Sequence, residues 1–401
     1  MIKISDLVSF MKQSNARRDP ARVAQKFEAM RKDEFRFFRG TPELFYAHLP
    51  ADSFLFKSPA TWICGDLHLE NFGSYKGEDR HIYFDINDFD GGVLAPCLLD
   101  VYRMATSILV ATTALKCTAK EAIALTTTYL KAYGKHLSEG NIRMIAPGTE
   151  PGDVNKILKM VQPLKKKVFL DQMVKVDGNA ATIRLEEGKR EVLPKQARQE
   201  LLQALKAWAA QQSNPGFYKP LDVCYRVAGT GSLGVERYLV LVRGLPTSDG
   251  FTLLDFKEAR PAFIPGAPSH PGSEATRVVS VIRRAVAVPP ALLGTFEKAD
   301  KSFVVREYRG SGENTPLTAL AGKLKKTGHF VDMLGALTAW DHLRAGGKNE
   351  SANADALMAL GATSDKWSAD VLAAAKQAAA QVTSDYKSFS DAVRKGAFKA
   401  P

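Results

Sequence analysis

Gly65-Asp66-Leu67-His68-Leu69-Glu70-Asn71, followed by Ile82-Tyr83-Phe84-Asp85-Ile86-Asn87-Asp88-Phe89-Asp90, is the stretch on which the reading of this chain turns. It sets an Asp and an Asn five residues apart in one loop, then sends a short hairpin back to a second cluster of Asp. Phosphoryl transfer asks for such parts: a carboxylate to orient the attacking hydroxyl, and amide and carboxylate oxygens to hold magnesium against the phosphates. On that chemistry Asp66 takes the first role and Asn71 with Asp88 the second. Asp85 competes with Asp88 for the metal, since both lie at the end of one hairpin. Each of these residues alone also fits a polar loop that satisfies its own backbone through Asx turns. The case for a site rests on their occurring together with the glycine loop and lysine described below.

The chain around this stretch has 401 residues, 45% of them hydrophobic and 24% charged, which is the composition of a soluble globular protein long enough for two or more domains. A formal net charge of +12 raises the question of nucleic acid. The basic residues are spread out, however, and the clusters Lys165-Lys166-Lys167 and Lys323-Leu324-Lys325-Lys326 have no interleaved aromatics. A solvated face with affinity for phosphate-bearing ligands is expected rather than a nucleic-acid groove. The N-terminus lacks a signal-peptide pattern. The longest apolar run, near Met104 to Leu115, is short of a membrane span and bounded by Arg103 and Lys116. Cys64, Cys97, Cys117 and Cys224 lie far apart, so neither zinc nor a disulfide framework is suggested. A cytoplasmic protein without membrane contact is expected; neither the acceptor nor the oligomeric state is legible.

Apolar spacing predicts helix over 5–33, a short helix through Tyr46, helices beginning at Leu98 and covering 119–137, and a further one over 195–212 that ends at Asn214-Pro215-Gly216. The pattern then changes to short β-rich runs, Val223 to Val227, Val235 to Val242 and Phe251 to Phe256, separated by glycine-bearing turns. Helix resumes over 274–287 and, after the strand-like Phe303 to Arg306, over 316–345 and 354–398. Three segments follow: 1–215 with the loop and most helices, 216–312 as a β-rich nucleotide-binding unit, and 313–401 as the remaining helices.

Gly229-Thr230-Gly231-Ser232-Leu233-Gly234 has a spacing that two phosphate-binding arrangements share. A dinucleotide-binding crossover needs a helix after the last glycine. A kinase-type loop instead turns between antiparallel strands and lies over the phosphates. The following Val235-Glu236-Arg237-Tyr238-Leu239-Val240-Leu241-Val242 is β-rich, which favours the kinase-type arrangement. The competing reading is an ordinary glycine-bearing hairpin turn. The third strand ends in Leu253-Leu254-Asp255-Phe256-Lys257-Glu258-Ala259, which puts Lys257 where a kinase keeps the lysine that grips the α and β phosphates.

The loop 65–71 resembles the catalytic loop of aminoglycoside and choline phosphotransferases, Asp88-Phe89-Asp90 their metal-binding segment, and Leu99-Asp100-Val101-Tyr102-Arg103-Met104-Ala105 the helix start that follows. Together with Phe37-Phe38-Arg39-Gly40, Arg226 to Gly234 and Phe256-Lys257-Glu258-Ala259, these motifs resemble the DUF2252 family of uncharacterised bacterial proteins over most of the chain. That family carries no activity with it; the phosphotransferase resemblance implies an α+β, protein-kinase-like, two-lobed fold. Because glycine loop and lysine follow the catalytic loop here, it implies a circularly permuted one, with a hinge near Val305-Arg306-Glu307.

Carried over to matched positions, Asp66 would orient or deprotonate the acceptor hydroxyl and His68 would lie near the transferred phosphate. Asn71 and Asp88 would bind Mg2+, or Mn2+, the 12-residue interval from Asp88 to Asp100 favouring Asp88 over Asp85. Asp100 would buttress the loop. Gly229, Thr230, Gly231, Ser232 and Gly234 would approach the phosphates of ATP, Lys257 would pair with them, Glu274 would set the lysine, and Val305 would border the nucleotide. Cys64 departs from the pattern, standing where phosphotransferases carry His, so the loop is expected to be braced differently. Salt bridges are expected of Arg39 and Arg306.

An ATP-dependent phosphotransferase acting on a small-molecule or protein hydroxyl is thus expected. Nucleotidyl transfer and a catalytically silent nucleotide-binding protein use the same parts. A metal-dependent phosphoesterase would need further His ligands and a Gly-Asn-His element, whereas the chain has 7 His and no such element.

Overall fold

A computed structural model gives the structure of residues 6–178, 180–245, 250–310 and 317–398. Three short helices open the chain, each capped by an Asp side chain: Leu7–Asn15 by Asp6, Pro20–Met30 by Asp19 and Glu34–Gly40 by Asp33. Such caps accept from first-turn amides that have no partner within the helix. The helix expected over 5–33 is therefore divided. Pro20 has no N–H to continue a helix and occupies the first turn of the next, where none is needed.

The strands are β1 (Ala60–Ile63), β2 (Phe72–Lys76), β3 (Ile82–Ile86), β4 (Val93–Pro96), β5 (Val174–Asp177), β6 (Ala180–Ile183), β7 (Arg190–Glu191), β8 (Pro220–Arg226), β9 (Arg237–Val242), β10 (Thr252–Glu258), β11 (Gly294–Lys298) and β12 (Lys301–Glu307). The last six form one antiparallel sheet in the order β11-β12-β10-β9-β8-β7. Four of them, β8, β9, β10 and β12, are runs expected from sequence.

β9 shows how this sheet is covered. Tyr238, Val240 and Val242 join a core with Phe256, Phe296, Phe303 and helix Lys195–Ala210, whereas Leu239 and Leu241 join another with helix Lys166–Met173 and the β5–β6 hairpin. Alternation along the strand sends these two sets to opposite faces, and with both faces covered every residue of β9 is buried. The strand-rich part thus takes in helices and strands from before residue 216, and a division at 215/216 coincides with no change of packing partner. The other expected division, 312/313, lies outside the described residues.

Helices Leu98–Val110, Ala119–Glu139, Leu324–Ala345 and Ser364–Arg394 share a third core with the N-terminal helices. Helix Glu274–Ala285 touches β1, β4, β11, β12 and helix Leu324–Ala345, and so joins the helix-rich part to the sheet. The whole is a mixed α+β fold. Among the described residues no helix is long and apolar enough to cross a membrane.

Candidate functional site

β1 and β4 pair with Ile63 opposite Val93, so the loop leaving β1 and the turn entering β4 start side by side. Gly65 makes this approach possible. It has φ +81°, and a Cβ there would lie 2.2 Å from the carbonyl oxygen of Gly91. Asp100, in the first turn of helix Leu98–Val110, accepts from the amides of Cys64 at 2.7 Å and Gly65 at 2.8 Å. Its carboxylate lies 3.5 Å from His342 Nε2, and His342 Nδ1 is 3.0 Å from the Tyr133 hydroxyl. Tyr46 donates to the Gly65 carbonyl at 2.9 Å.

Asn71 ties the two segments together. Its amide nitrogen donates to the carbonyls of Asp66 at 3.1 Å and Asp88 at 2.9 Å, which leaves Oδ1 as the atom available to a ligand. Cys64 supplies the different bracing expected of it: its thiol donates to the Asp88 carbonyl at 3.1 Å.

Asp66 faces Arg103, one turn beyond Asp100, with Nε at 2.6 Å. The guanidinium is buried between the rings of Phe38 at 4.2 Å and Phe45 at 4.7 Å. Burial raises the Asp66 carboxyl above its ordinary range, and Arg103 only partly offsets this. Asp66 is thus a stronger proton acceptor than an ordinary carboxylate, which suits it to receive the acceptor's proton. His68, two residues on, is buried, and its Nδ1 has no partner. Burial, with the charges of Arg39 and Arg103, holds its imidazole well below the usual range, so the ring is neutral.

Lys257 Nζ lies 2.6 Å from Asp88 and 2.6 Å from Asp90. Burial opposes ionisation of Asp88, but Lys257 and Arg306 outweigh it and hold that carboxyl well below the usual range. Burial and the Asp88 charge push Asp90 the other way. Lys257 itself is raised, since the two carboxylates outweigh its desolvation. Two residues back on the same strand, Asp255 pairs with Arg226 at 2.6 Å and with Arg237, so the cation opposite Lys257 is already neutralised.

The glycine loop closes the cavity from above. Arg18 donates to the carbonyls of Gly231 at 2.6 Å and Leu233 at 3.1 Å, and the Asp19 amide donates to Gly234 at 3.0 Å. Gly234, at φ +87°, brings the loop within 2.9 Å of Arg18 Cβ, measured from where its own Cβ would stand. The cavity beneath holds about 120 Å3 and is bounded by Asp66, His68, Asn71, Asp88, Asp90 and the loop residues Gly229, Gly231 and Ser232, with Arg18, Arg39, Glu43 and Arg260 at its margins.

Residues 18–392 match the family described as "Uncharacterized protein conserved in bacteria (DUF2252)", a span that runs from the loop-holding Arg18 past every residue of the cavity. The chain belongs to the DUF2252 family. No curated protein and no solved structure matches it significantly.

Five residues expected at the site of this DUF2252 protein lie elsewhere. Asp85 is buried, accepts from the Ala287 amide at 3.3 Å and sits 3.5 Å from Arg344; a buried ion network with Arg344 and Asp341 has drawn it away from Asp88. Glu274 pairs with Arg277 at 2.7 Å, one turn along its own helix, and the partners of Lys257 are Asp88 and Asp90 instead. Val305 is the interior of β12, packed with Phe256 and Phe296 in the core, and no hinge exists at 305–307 because those residues are laddered to β10. Thr230 borders a neighbouring cavity, and Gly234 meets Arg18 instead of the cavity. Arg39 pairs with Glu70, and Arg306 donates to Asn87 at 2.8 Å.

Sequence reasoning missed Arg103, Arg18 and the role of Arg277, whose guanidinium holds the carbonyls of Asp90 at 3.0 Å and Arg260 at 2.7 Å. Arg103 had a readable signal: three residues after Asp100, it shares that residue's helix face. Arg18 and Arg277 had none.

Proposed function

We propose that this protein is an ATP- and magnesium-dependent phosphotransferase with a kinase-like, circularly permuted two-lobed architecture, moving a phosphoryl group to an acceptor hydroxyl. The observation that carries this reading is the contact of Lys257 with both Asp88 and Asp90, across 169 residues for Asp88, two carboxylates that line one cavity with Asp66 and the glycine loop. A pair of carboxylates, a carboxylate base and a glycine loop on one cavity, with a lysine paired to those carboxylates, are the parts that positioning and charge stabilisation of a phosphoryl group require. Their order along the chain, loop and acids before glycines and lysine, is that of a kinase-like unit whose chain has been cut and rejoined.

The residues fit magnesium. Asp88 and Asp90 present carboxylates with 48% and 34% of their side chains exposed, and Asn71 has its carbonyl oxygen uncommitted. Among the described residues no group of three or more His, Cys, Asp or Glu is arranged as a metal cage. Nucleotide-bound magnesium needs only one or two protein carboxylates, the rest coming from phosphate and water, whereas a two-metal phosphoesterase needs many more. When bound, magnesium would neutralise phosphate charge. Lys257 would then exchange one carboxylate partner for phosphate oxygens, the loop amides would face the phosphates, and Asp66 would accept the acceptor's proton while Arg103 fixes its orientation.

The cavity of about 120 Å3 is smaller than the roughly 300–1,000 Å3 of ordinary ligand pockets, so nucleotide entry requires the glycine loop to lift from Arg18. Comparison of Asp66→Asn with Asp88→Asn tests the assignment. Asp66→Asn keeps magnesium-dependent nucleotide binding within about threefold while transfer, including slow transfer to water, is lost; Asp88→Asn loses both. Equal loss of binding in the two variants contradicts it.

A further inference from the structure

Three buried nitrogen atoms at the margin of this cavity have no hydrogen-bond partner: Arg18 Nε, Arg39 Nε and His68 Nδ1. The two guanidinium Nε atoms are unmet donors, His68 Nδ1 is a third in the tautomer that carries its proton there, and unmet buried polar atoms on residues of one cavity point to a missing partner group. Arg18 is otherwise occupied with the loop carbonyls and Arg39 with Glu70, so in each case it is the inner Nε that faces an unfilled role. Arg39 and His68 are further linked through Phe35, with the Arg39 guanidinium 5.8 Å from its ring centre and the His68 ring edge-on at 6.4 Å.

Their position decides what they would bind. Lys257 pairs with the carboxylates Asp88 and Asp90, whereas Arg39 borders both this cavity and a second one of about 740 Å3. Lys32, Phe35, Arg36, Thr230 and Tyr386 border that cavity; Asp88, Asp90 and Lys257 do not. An acceptor reaching Asp66 through this second cavity passes Arg39 and then meets His68; the rim carries acids (Asp33, Glu34, Glu70) as well as bases (Lys32, Arg36), so the preference for an anion comes from the unmet nitrogens and not from the entrance.

We infer that the acceptor is a small hydroxyl compound bearing an oxyanion, phosphate or carboxylate, which Arg39 and His68 bind while its hydroxyl faces Asp66. The inference rests on the phosphotransferase reading for the hydroxyl at Asp66, but the oxyanion site itself does not. An oxyanion supplies acceptor lone pairs to both orphaned nitrogens, and charge-assisted bonds of this kind are among the stronger polar contacts.

Inorganic phosphate is the probe. It is titrated into the protein with and without saturating magnesium and a nonhydrolysable ATP analogue, and read from the imidazole NMR signals of His68, assigned with His68→Gln. The wild-type measurement needs no other variant to fold. The expected result is a saturable shift of the His68 signals in the nucleotide-loaded protein, with phosphate affinity at least about tenfold weaker in Arg39→Met and nucleotide affinity unchanged within about twofold. Phosphate that binds only nucleotide-free protein would mean that the nitrogens serve the nucleotide's own terminal phosphate, and this overturns the inference. So does a phosphate response that Arg39→Met leaves intact. If no nucleotide binds but phosphate still shifts His68 in an Arg39-dependent way, the phosphotransferase reading falls and the oxyanion site stands.

Discussion

Replacing Asp100 by Asn should free the loop that carries Asp66 while leaving every residue of the cavity in place. The Asp100 carboxylate is fully buried and accepts two backbone amides, Cys64 at 2.7 Å and Gly65 at 2.8 Å. An Asn side chain has nearly the same shape but only one oxygen. It keeps one of these bonds, without the charge, and turns an NH2 group toward the other amide, so that two donors face each other. A hydrogen bond to a charged group contributes about 1.5–3 kcal/mol, and a buried donor left unmet costs a similar amount. The local loss is therefore about 3 kcal/mol, equivalent to roughly 150-fold in the equilibrium between closed and open loop. Native-state hydrogen exchange measures this directly: the amides of Cys64 and Gly65 should exchange about two orders of magnitude faster, with amides of β9 unaffected. Protection at Cys64 and Gly65 unchanged within about threefold would refute the claim that Asp100 holds the loop.

Two other measurements follow from the same region. Lys26 is buried with Asn15 Oδ1 at 3.0 Å as its hydrogen-bond partner; burial, then the Arg18 charge, push its pKa down to about 7, with Glu43 and Asp66 opposing. The folded state thus holds this proton less tightly than the unfolded chain, so stability rises with pH above about 7. Linkage gives a rise of about 1 kcal/mol between pH 7 and 8, below the midpoint of unfolded-state thiols, and Lys26→Met should abolish this rise in denaturant titrations. A slope that persists in Lys26→Met would place its origin elsewhere. Arg18→Met removes the bonds to Gly231 and Leu233, and limited proteolysis should then cut within 229–234 at least about tenfold faster. An unchanged cleavage rate would show that Asp19 alone fixes the loop.

The parts of this structure legible in the sequence are those that local pattern controls. Loop 65–71 and the segment 87–90 are joined by a hairpin too short to place them apart, so Asp66, Asn71 and Asp88 could be read as neighbours. Lys257 was legible because strand context separates a glycine loop between strands from one that opens a helix. Asp85 was misplaced because its partners, Arg344 and Asp341, lie more than 250 residues away on a helix whose contacts no spacing announces. Glu274 failed for a more local reason: an Arg three residues later on the same helix is the nearer cation. Val305 was expected at a hinge bordering the nucleotide, whereas β11, absent from the sequence reading, pairs with β12 and makes Val305 core. Arg18 lies 213 residues from the glycine it holds, and its place follows from how the N-terminal helices pack.

The central claim is that Lys257 and Asp88 serve one nucleotide. Calorimetric titration with a nonhydrolysable ATP analogue, with and without magnesium, beside Asp88→Asn and Lys257→Ala, tests it most directly. The account predicts magnesium-dependent binding that each substitution weakens by at least about tenfold. Absence of binding by any adenine or guanine nucleotide, or binding indifferent to both substitutions, would contradict it.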